Sequence, residues 1–353
     1  MNVFSAPAFD DHEQVCFARD PDSGLKAIIA IHDTTLGPAV GGCRMFPYAS
    51  EDAALEDVLR LSRGMTFKSA LAGLPLGGGK SVIIGDPRRD KSRELFLAMG
   101  RFVESLGGRY VAAEDSGIAV ADVRTMGDCT AHVSGIADTE HGGDPSPSTA
   151  LGVFLALRTA VRHRLGAEDL AGLRVAVQGL GHVGYHLARR LLDAGAEVFG
   201  ADVNGDNVAR AVRELGVVEV PADEVLGLEV DVVSPCALGA VLNGDSIPRL
   251  RAGIVAGAAN NQLASHDDGA RLMDRGILYC PDFLINAGGI IDVYHQRLGS
   301  DAATTRAHVA RIEATLGEVL TRADACHRQT QDIAEDLARE LLGRGIHARA
   351  RAA

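Results

Sequence analysis

The spacing of apolar and polar positions switches between two periods along the chain, and each switch marks an element. Residues 25–31 (LKAIIAI) form an apolar run rich in β-formers, which Gly37, Pro38, Gly41 and Gly42 then break into a turn. Residues 51–63 (EDAALEDVLRLSR) put Ala54, Leu55, Val58, Leu59 and Leu61 on one helical stripe, with acids in the first turn, so Lys68 is expected just past a helix. Three glycines, Gly77, Gly78 and Gly79, read as a turn that allows positive φ, and Lys80 projects from the start of the strand that follows over 81–85. A helix over 92–106, a strand over 109–114 ending at Asp115, and a helix over 121–130 come next. All periodicity stops at 141–148 (HGGDPSPS), where a domain boundary is expected.

A helical pattern over 149–165 leads into the strongest local motif. Residues 173–178 (LRVAVQ) are a buried-strand pattern, Gly179, Gly181 and Gly184 give G-x-G-x-x-G, and 182–193 read as the following helix. The next strand, 197–201, ends in Asp202, 23 residues after Gly179, which completes a dinucleotide fingerprint of strand, glycine turn, helix, strand and acid. Gly179, Leu180, Gly181, His182, Val183 and Gly184 would bring backbone amides and a helix N-terminus to a pyrophosphate. Asp202 would bond the adenosine ribose 2'-OH and repel a 2'-phosphate, which favours NAD over NADP. Strands over 217–220, 230–233, 253–256 and 276–280 complete a doubly wound sheet, whose loops 234–239 (with Cys236 and Ala237), 257–261 (with Asn260 and Asn261) and 286–289 line the crevice at the strand carboxyl ends. Residues 302–342 read as helical and need cover from the first domain.

The fold class is therefore α/β with two domains and a cleft between them. Residues 1–140, joined by C-terminal helices at about 328–353, make an α/β substrate, catalytic and oligomerisation domain, and 145–327 make a Rossmann domain. Composition narrows the chemistry. A net charge of -12 argues against a nucleic-acid groove, and no apolar segment reaches membrane-spanning length. Asp10, Asp11 and Glu13 precede any long apolar run, so no secretory or transit peptide is expected, and six scattered cysteines without a C-x-x-C pair indicate neither disulfides nor a metal site. A cytoplasmic location fits. A phosphate loop at Lys80 is excluded, because the glycine required six residues earlier is Leu74. What remains is a lysine pair around a glycine segment, with a carboxylate at a strand end. An ammonium beside buried apolar residues is readily neutralised, the usual route to an amine base.

The segments LKAIIAIHDTTLGPAVGGCR, MTFKSALAGLPLGGGKSVIIGDP, GRYVAAED, VAVQGLGHVG, PCALGAVLN, GAANNQL and PDFLINAGG together resemble the amino acid dehydrogenase family that includes leucine, valine, phenylalanine, tryptophan and glutamate dehydrogenases. The resemblance covers nearly the whole chain and is nearest the leucine/valine/phenylalanine branch. It implies Lys80 as general base acting through water, Asp115 as catalytic acid, Lys68 as anchor for the substrate carboxylate, and Gly42 as a backbone contact to that carboxylate. It also implies that Thr149 and Asn261, or its neighbour Asn260, contact nicotinamide or substrate, and that Val40, Met65, Ala113, Ile290 and Val293 line the side-chain pocket. The implied reaction is reversible oxidative deamination of an L-amino acid to its 2-oxo acid and ammonia, in a homo-oligomer assembled through the first domain. An uncharged pocket disfavours glutamate and favours leucine, valine or isoleucine. Phenylalanine or tryptophan is the alternative, since Val40 is small and Tyr294 resembles the tryptophan-active members. Departures at Cys43, Phe67 and 116–118 replace no catalytic group. A non-catalytic NAD-binding regulator, the other alternative, would have lost one of Lys68, Lys80 and Asp115; a hydroxy-acid dehydrogenase would pair a histidine with an acid.

Overall fold

The computed structural model describes residues 3–136, 143–237 and 239–352, so His141 and Gly142 of the expected boundary, and Leu238 of the 234–239 loop, lie outside the described residues. The chain divides into two compact units. One comprises Met1–Asp144, Val293–Ser300 and Ala338–Ala353, the other Pro145–Asp292 and Asp301–Leu337.

The first unit holds strands β1 (Gln14–Asp20), β2 (Leu25–Asp33), β3 (Ala39–Phe46), β4 (Gly77–Ile84) and β5 (Tyr110–Glu114), with helices α1 (Glu51–Leu71), α2 (Arg93–Glu104) and α3 (Val120–Gly127). The sheet runs β1-β2-β4-β3-β5; β2 is antiparallel to β1 and β4, and β3 is parallel to β4 and β5. Ser50 and Ser92 start α1 and α2 by accepting the amides of Ala53 and Leu95, each at 3.1 Å. One sheet face buries Ile29, Ile31, Cys43, Met45, Ile83 and Tyr110 against Leu95, Phe96, Met99, Val123 and Met126 of α2 and α3. The other face packs Ile28, Ala30 and Val82 against Leu55, Val58 and Leu59 of α1.

Three expectations change here. Gly41 and Gly42 do not form a turn; they lie inside β3. Gly77, Gly78 and Gly79 open β4, none has positive φ, and Lys80 is the fourth residue of the strand. Both sets are glycine because neighbouring chain comes too close for a Cβ, which at Gly41 would lie 1.7 Å from the Gly79 carbonyl oxygen and at Gly78 2.1 Å from the Thr66 nitrogen. The third change is at α1, which continues to Leu71 and carries Lys68 in its last turn. Strand β1 is additional: polar residues at this sheet edge mask its alternation.

The second unit contains α4 (Ser146–Leu165), β6 (Arg174–Gln178), α5 (His182–Asp193), β7 (Glu197–Ala201), α6 (Gly205–Leu215), β8 (Val218–Glu219), β9 (Val232–Pro235), β10 (Ile254–Val255), α7 (Asp267–Asp274), β11 (Leu278–Tyr279) and α8 (Asp282–Ile285). The sheet is parallel throughout, in the order β11-β10-β9-β6-β7-β8, which is the doubly wound order with its switch point between β6 and β9. Helix α9 (Gly288–Leu298) follows, so the expected 286–289 loop shrinks to Asn286 and Ala287. Its first two glycines are required by α4, since a Cβ on Gly288 would sit 2.0 Å from the Ser148 carbonyl oxygen. The expected 302–342 helix is three: α10 (Ala302–Val309), α11 (Arg311–Cys326) and α12 (Thr330–Ala352), with His327 in the left-handed region at φ 51° between the last two.

Candidate active site

Strand register in the first unit gathers the expected substrate residues on one face. Paired residues share a face and residues two apart repeat it, so Val40, Gly42 and Arg44 of β3 point the same way as Gly78 and Lys80 of β4 and as Val111 and Ala113 of β5. This is the face that α1 covers, with Thr66 seated over Gly78. Met65 and Lys68 are carried on the same stretch of helix, and Lys68 is buried. Asp115 begins a tight turn beyond β5, closed by the Ile118 amide on the Asp115 carbonyl at 2.9 Å and by Gly117 at φ 79°. That turn sets Asp115 against Gly42, where a Cβ would lie 2.6 Å from the Asp115 Cβ. Only glycine fits there.

Lys80 is 3% exposed, and its Nζ lies 3.0 Å from Oδ2 of Asp115. The carboxylate supplies the counter-charge that so dry an ammonium requires. The same Oδ2 accepts from Arg44 Nε at 2.9 Å. Arg44 in turn donates through its NH1 group to Asp57 Oδ2 at 3.0 Å, and the Tyr48 hydroxyl donates to that oxygen at 2.6 Å. Burial pushes the Asp115 carboxyl up, but the charges of Lys80 and Arg44, with hydrogen bonds from Lys80 and the Ser116 backbone, outweigh it and hold the group well below the usual carboxylate range. Burial, then Asp57, raises the Tyr48 phenol. On the opposite face the Cys43 thiol is pushed up to about 12 by burial, so it is an inert spacer. Arg44, Asp57 and Tyr48 escape the sequence reading, although Arg44 follows Gly42 by two residues and shares its face once the segment is a strand.

In the second unit the glycine turn joins β6 to α5 at the switch point. Gly179 has φ 95°, and a Cβ there would lie 2.9 Å from Ala237, in the loop after β9 with Cys236. A Cβ on Gly184 would strike the Gly179 carbonyl oxygen at 1.9 Å, so this glycine packs the helix on the turn. Gly181 is the N-cap of α5, with no side-chain cap and open space where a Cβ would stand. Uncapped amides beside open space at a helix N-terminus fit a pyrophosphate, and the residues present therefore suit a dinucleotide. Asp202 has more partners than the fingerprint requires. Its Oδ2 accepts from the Leu180 amide at 2.7 Å and from Asn207 Nδ2 at 3.2 Å, and its Oδ1 accepts from the Asn204 amide at 2.8 Å. The carboxylate thus holds the glycine turn itself. Arg210 lies over the Tyr185 ring at 4.3 Å and donates to the Leu180 carbonyl at 3.5 Å.

The loop after β10 is held rigidly. Asn261 is in the left-handed region at φ 51°, and its amide donates to Asp282 Oδ2 at 2.7 Å, while the Tyr279 hydroxyl donates to Asp282 Oδ1 at 2.6 Å. Asn286 Nδ2 donates to the Ala258 carbonyl at 3.0 Å and to Asn260 Oδ1 at 2.9 Å. Thr149, in the first turn of α4, touches the position a Cβ on Gly289 would take, at 2.6 Å. Asn260, Asn261, Asn286 and Thr149 thus belong to elements packed on one another within this unit. Ile290 and Val293 are buried along α9. Sequence reading assigns Asp282 no role and places Asn286 only in a crevice loop, because the contacts that hold the Asn260–Asn261 loop, Asp282 to Asn261 and Asn286 to Asn260, join residues more than twenty positions apart. Among the described residues there is no group of side chains suited to hold a metal ion.

Comparison with known proteins follows the same division. Residues 12–132 match the family model described as Glu/Leu/Phe/Val dehydrogenase, dimerisation domain, and residues 144–211 and 201–340 match that described as Glutamate/Leucine/Phenylalanine/Valine dehydrogenase. The chain is 46% identical to a leucine dehydrogenase of Geobacillus stearothermophilus over 97% of its own length and 94% of that protein's. It is also 46% identical to an L-tryptophan dehydrogenase of Nostoc punctiforme, over 100% of its length and 99% of the relative's. The crystal structure of L-tryptophan dehydrogenase from Nostoc punctiforme superposes with a TM-score of 0.80 at 44% identity, covering 95% of this chain and 97% of that one.

Proposed function

The chain belongs to the Glu/Leu/Phe/Val dehydrogenase family, and on that premise we propose that it catalyses reversible, NAD-dependent oxidative deamination of an apolar L-amino acid, with leucine, valine and isoleucine ahead of phenylalanine and tryptophan. The observation that carries this reading is the buried face bearing Lys80, Asp115, Gly42, Val40 and Ala113 under the helix that bears Lys68 and Met65. Along that face Lys80 and Arg44 both pair with Asp115, and Arg44 also pairs with Asp57. A second carboxylate, as in glutamate, would be buried among Val40 and Ala113 with no partner.

Lys68 binds the substrate carboxylate, and Asp115, held anionic, takes the α-ammonium and orients the α-carbon. Bound NAD supplies the acceptor for the hydride that leaves this carbon. Lys80, as a neutral amine, removes a proton from water, and the resulting hydroxide adds to the iminium carbon to form a carbinolamine. Asp115 accepts a proton from the α-ammonium before the hydride leaves and returns it to the nitrogen of the carbinolamine, and as the C–N bond breaks to ammonia and the 2-oxo acid the hydroxyl proton passes back to the Asp115 carboxylate. Gly179 to Gly184, with Asp202, Cys236, Ala237, Thr149, Asn260 and Asn261, would hold the dinucleotide. The carboxylate of Asp202 and the commitment of Arg210 to Tyr185 and Leu180 support NAD over NADP.

The match of residues 12–132 to a dimerisation domain supports a homo-oligomer, which light scattering would reveal as a mass above the 37.0 kDa of one chain. The deciding assay follows NADH formation at alkaline pH with leucine, valine, isoleucine, phenylalanine, tryptophan and glutamate. A kcat/KM for phenylalanine or tryptophan above every aliphatic value would select the alternative, which identity to the Nostoc punctiforme enzyme favours. Strong glutamate turnover would refute the pocket assignment.

A further inference from the structure

We propose that Arg44, fixed by Asp57 and Tyr48, is a positioning residue that divides the Asp115 carboxylate with Lys80 and thereby sets the pH at which deamination begins. The inference rests on the function proposed above. Its basis is that two cations share one oxygen: Lys80 Nζ at 3.0 Å and Arg44 Nε at 2.9 Å both meet Oδ2 of Asp115. A carboxylate serving Lys80 alone would hold the lysine proton with its whole charge. Divided with a guanidinium, it holds that proton less firmly, and the guanidinium adds repulsion of its own. Arg44 cannot deprotonate in a protein, so its charge is permanent at any working pH. Its planar fork also reaches two carboxylates at once, which an ammonium with a single nitrogen does not match.

The surroundings make Arg44 adjustable in sign. The titratable and charged groups carried on the face of Lys80 or on the elements packed against it are Asp115 after β5, Arg44 on β3, Lys68 on α1, His32 on β2 and, behind Arg44, Asp57 on α1 with Tyr48 after β3. His32 is neutral there, because burial drives its pKa to about 4. Two of these charges can be removed one at a time without touching Lys80 or Asp115. Removing Arg44 leaves Asp115 wholly to Lys80, so the proton is held more tightly. Removing the charge of Asp57 strengthens the pull of Arg44 on Asp115, so the proton is held less tightly. The two substitutions must move the pH profile in opposite directions, whereas a merely structural role would lower both plateaus and leave the midpoint in place.

The test is the pH profile of kcat/KM for L-leucine at saturating NAD in the full-length protein, for wild type, Arg44→Gln, Arg44→Lys and Asp57→Asn, with NADH affinity by fluorescence as a control. In Arg44→Gln the rising limb should move to higher pH by about one unit or more, a loss of roughly tenfold below the midpoint, since a like charge beside a titrating group disfavours its charged form and about 1.4 kcal/mol of that repulsion is one unit. Arg44→Lys, which keeps the charge but not the fork that reaches both carboxylates, should move the limb upward by less than Arg44→Gln, Asp57→Asn should move to lower pH, and NADH affinity should not change. An unmoved midpoint in Arg44→Gln, or displacement of Arg44→Gln and Asp57→Asn in one direction, overturns the inference. Should Arg44→Gln fail to fold, the Asp57→Asn profile decides: a downward move supports the inference and a fixed midpoint refutes it. A wild-type protein that forms no NADH with any amino acid overturns the proposed function instead.

Discussion

Replacing Gly78 with alanine tests whether close contact of α1 with the sheet is what places the chemistry. A Cβ on Gly78 would lie 2.1 Å from the Thr66 nitrogen, 2.2 Å from its Oγ1 and 2.5 Å from its Cα. Two of these atoms are helix backbone, and the Oγ1 is tied to His32 Nδ1 by a 2.9 Å hydrogen bond, so no side-chain rotation relieves the clash. To reach ordinary contact at 3.4 Å, α1 must retreat by about 1.3 Å, carrying Lys68 two residues further along. Overpacking of this kind costs about 1–3 kcal/mol, and a displacement near 1 Å at a binding group costs roughly 10²-fold in rate. The expected result for Gly78→Ala is a melting temperature lower by several degrees and a kcat/KM for L-leucine down about 10²-fold, with NADH affinity unchanged. Gly64, on the same helix but with nothing within 4 Å, is the control, and Gly64→Ala should stabilise by about 1 kcal/mol. Activity of Gly78→Ala within threefold of wild type would refute the reasoning, because the helix would then not be held where the contact places it.

Other outcomes follow from the same geometry. Lys80→Ala should lower deamination by roughly 10²–10⁴-fold with NADH affinity intact, and turnover within about tenfold of wild type would remove Lys80 from the role of base. NAD should exceed NADP in catalytic efficiency; Asp202→Ser should narrow the gap and also weaken NAD binding, because the Leu180 amide loses its acceptor, and an unchanged NAD affinity measured by titration would contradict the second part. His32, 8% exposed, has its pKa lowered to about 4 from the ordinary 6.5, by burial first and then by His12. The unfolded chain therefore binds a proton that the folded chain does not, and stability should fall as pH drops from about 6.5 to about 4, by on the order of 3 kcal/mol. Urea unfolding at pH 6.5 and 4.5 measures this, and an equal loss in His32→Asn would show that another group is responsible.

The glycine turn of the second unit and its flanking elements were legible because they are contiguous. The run 173–178, the glycine turn and the helix from His182 fall within about twenty residues, and the change from a buried run to helical period is visible without knowing any contact. The second strand and its acid follow at a spacing set by helix length. Lys68, Lys80 and Asp115 stood out by type and motif, yet their surroundings did not. Gly41, Gly42, Gly77, Gly78 and Gly79 signal a turn to any local rule, and all are strand residues. The demand for glycine comes from a carbonyl of another strand or from a helix, neither of which lies next to them in sequence.

What the sequence determined by itself was therefore the order of the elements, the doubly wound unit, the family resemblance and the choice of candidate groups, all of which depend on short-range periodicity and motif. What the tertiary structure alone decided was which groups meet. The Arg44–Asp115 pair spans 71 positions and depends on β3 lying beside β5 in one particular register; slipped by one residue, Arg44 would point to the opposite face. The same holds for Asp282 under Asn261 and for Asp202 under the glycine turn, where a side chain that reads as a ligand-binding acid also anchors backbone. Periodicity is a property of neighbours along the chain, whereas register and close approach are set by how strands and helices pack, and it is packing that places Lys80, Asp115 and Arg44 around one oxygen atom.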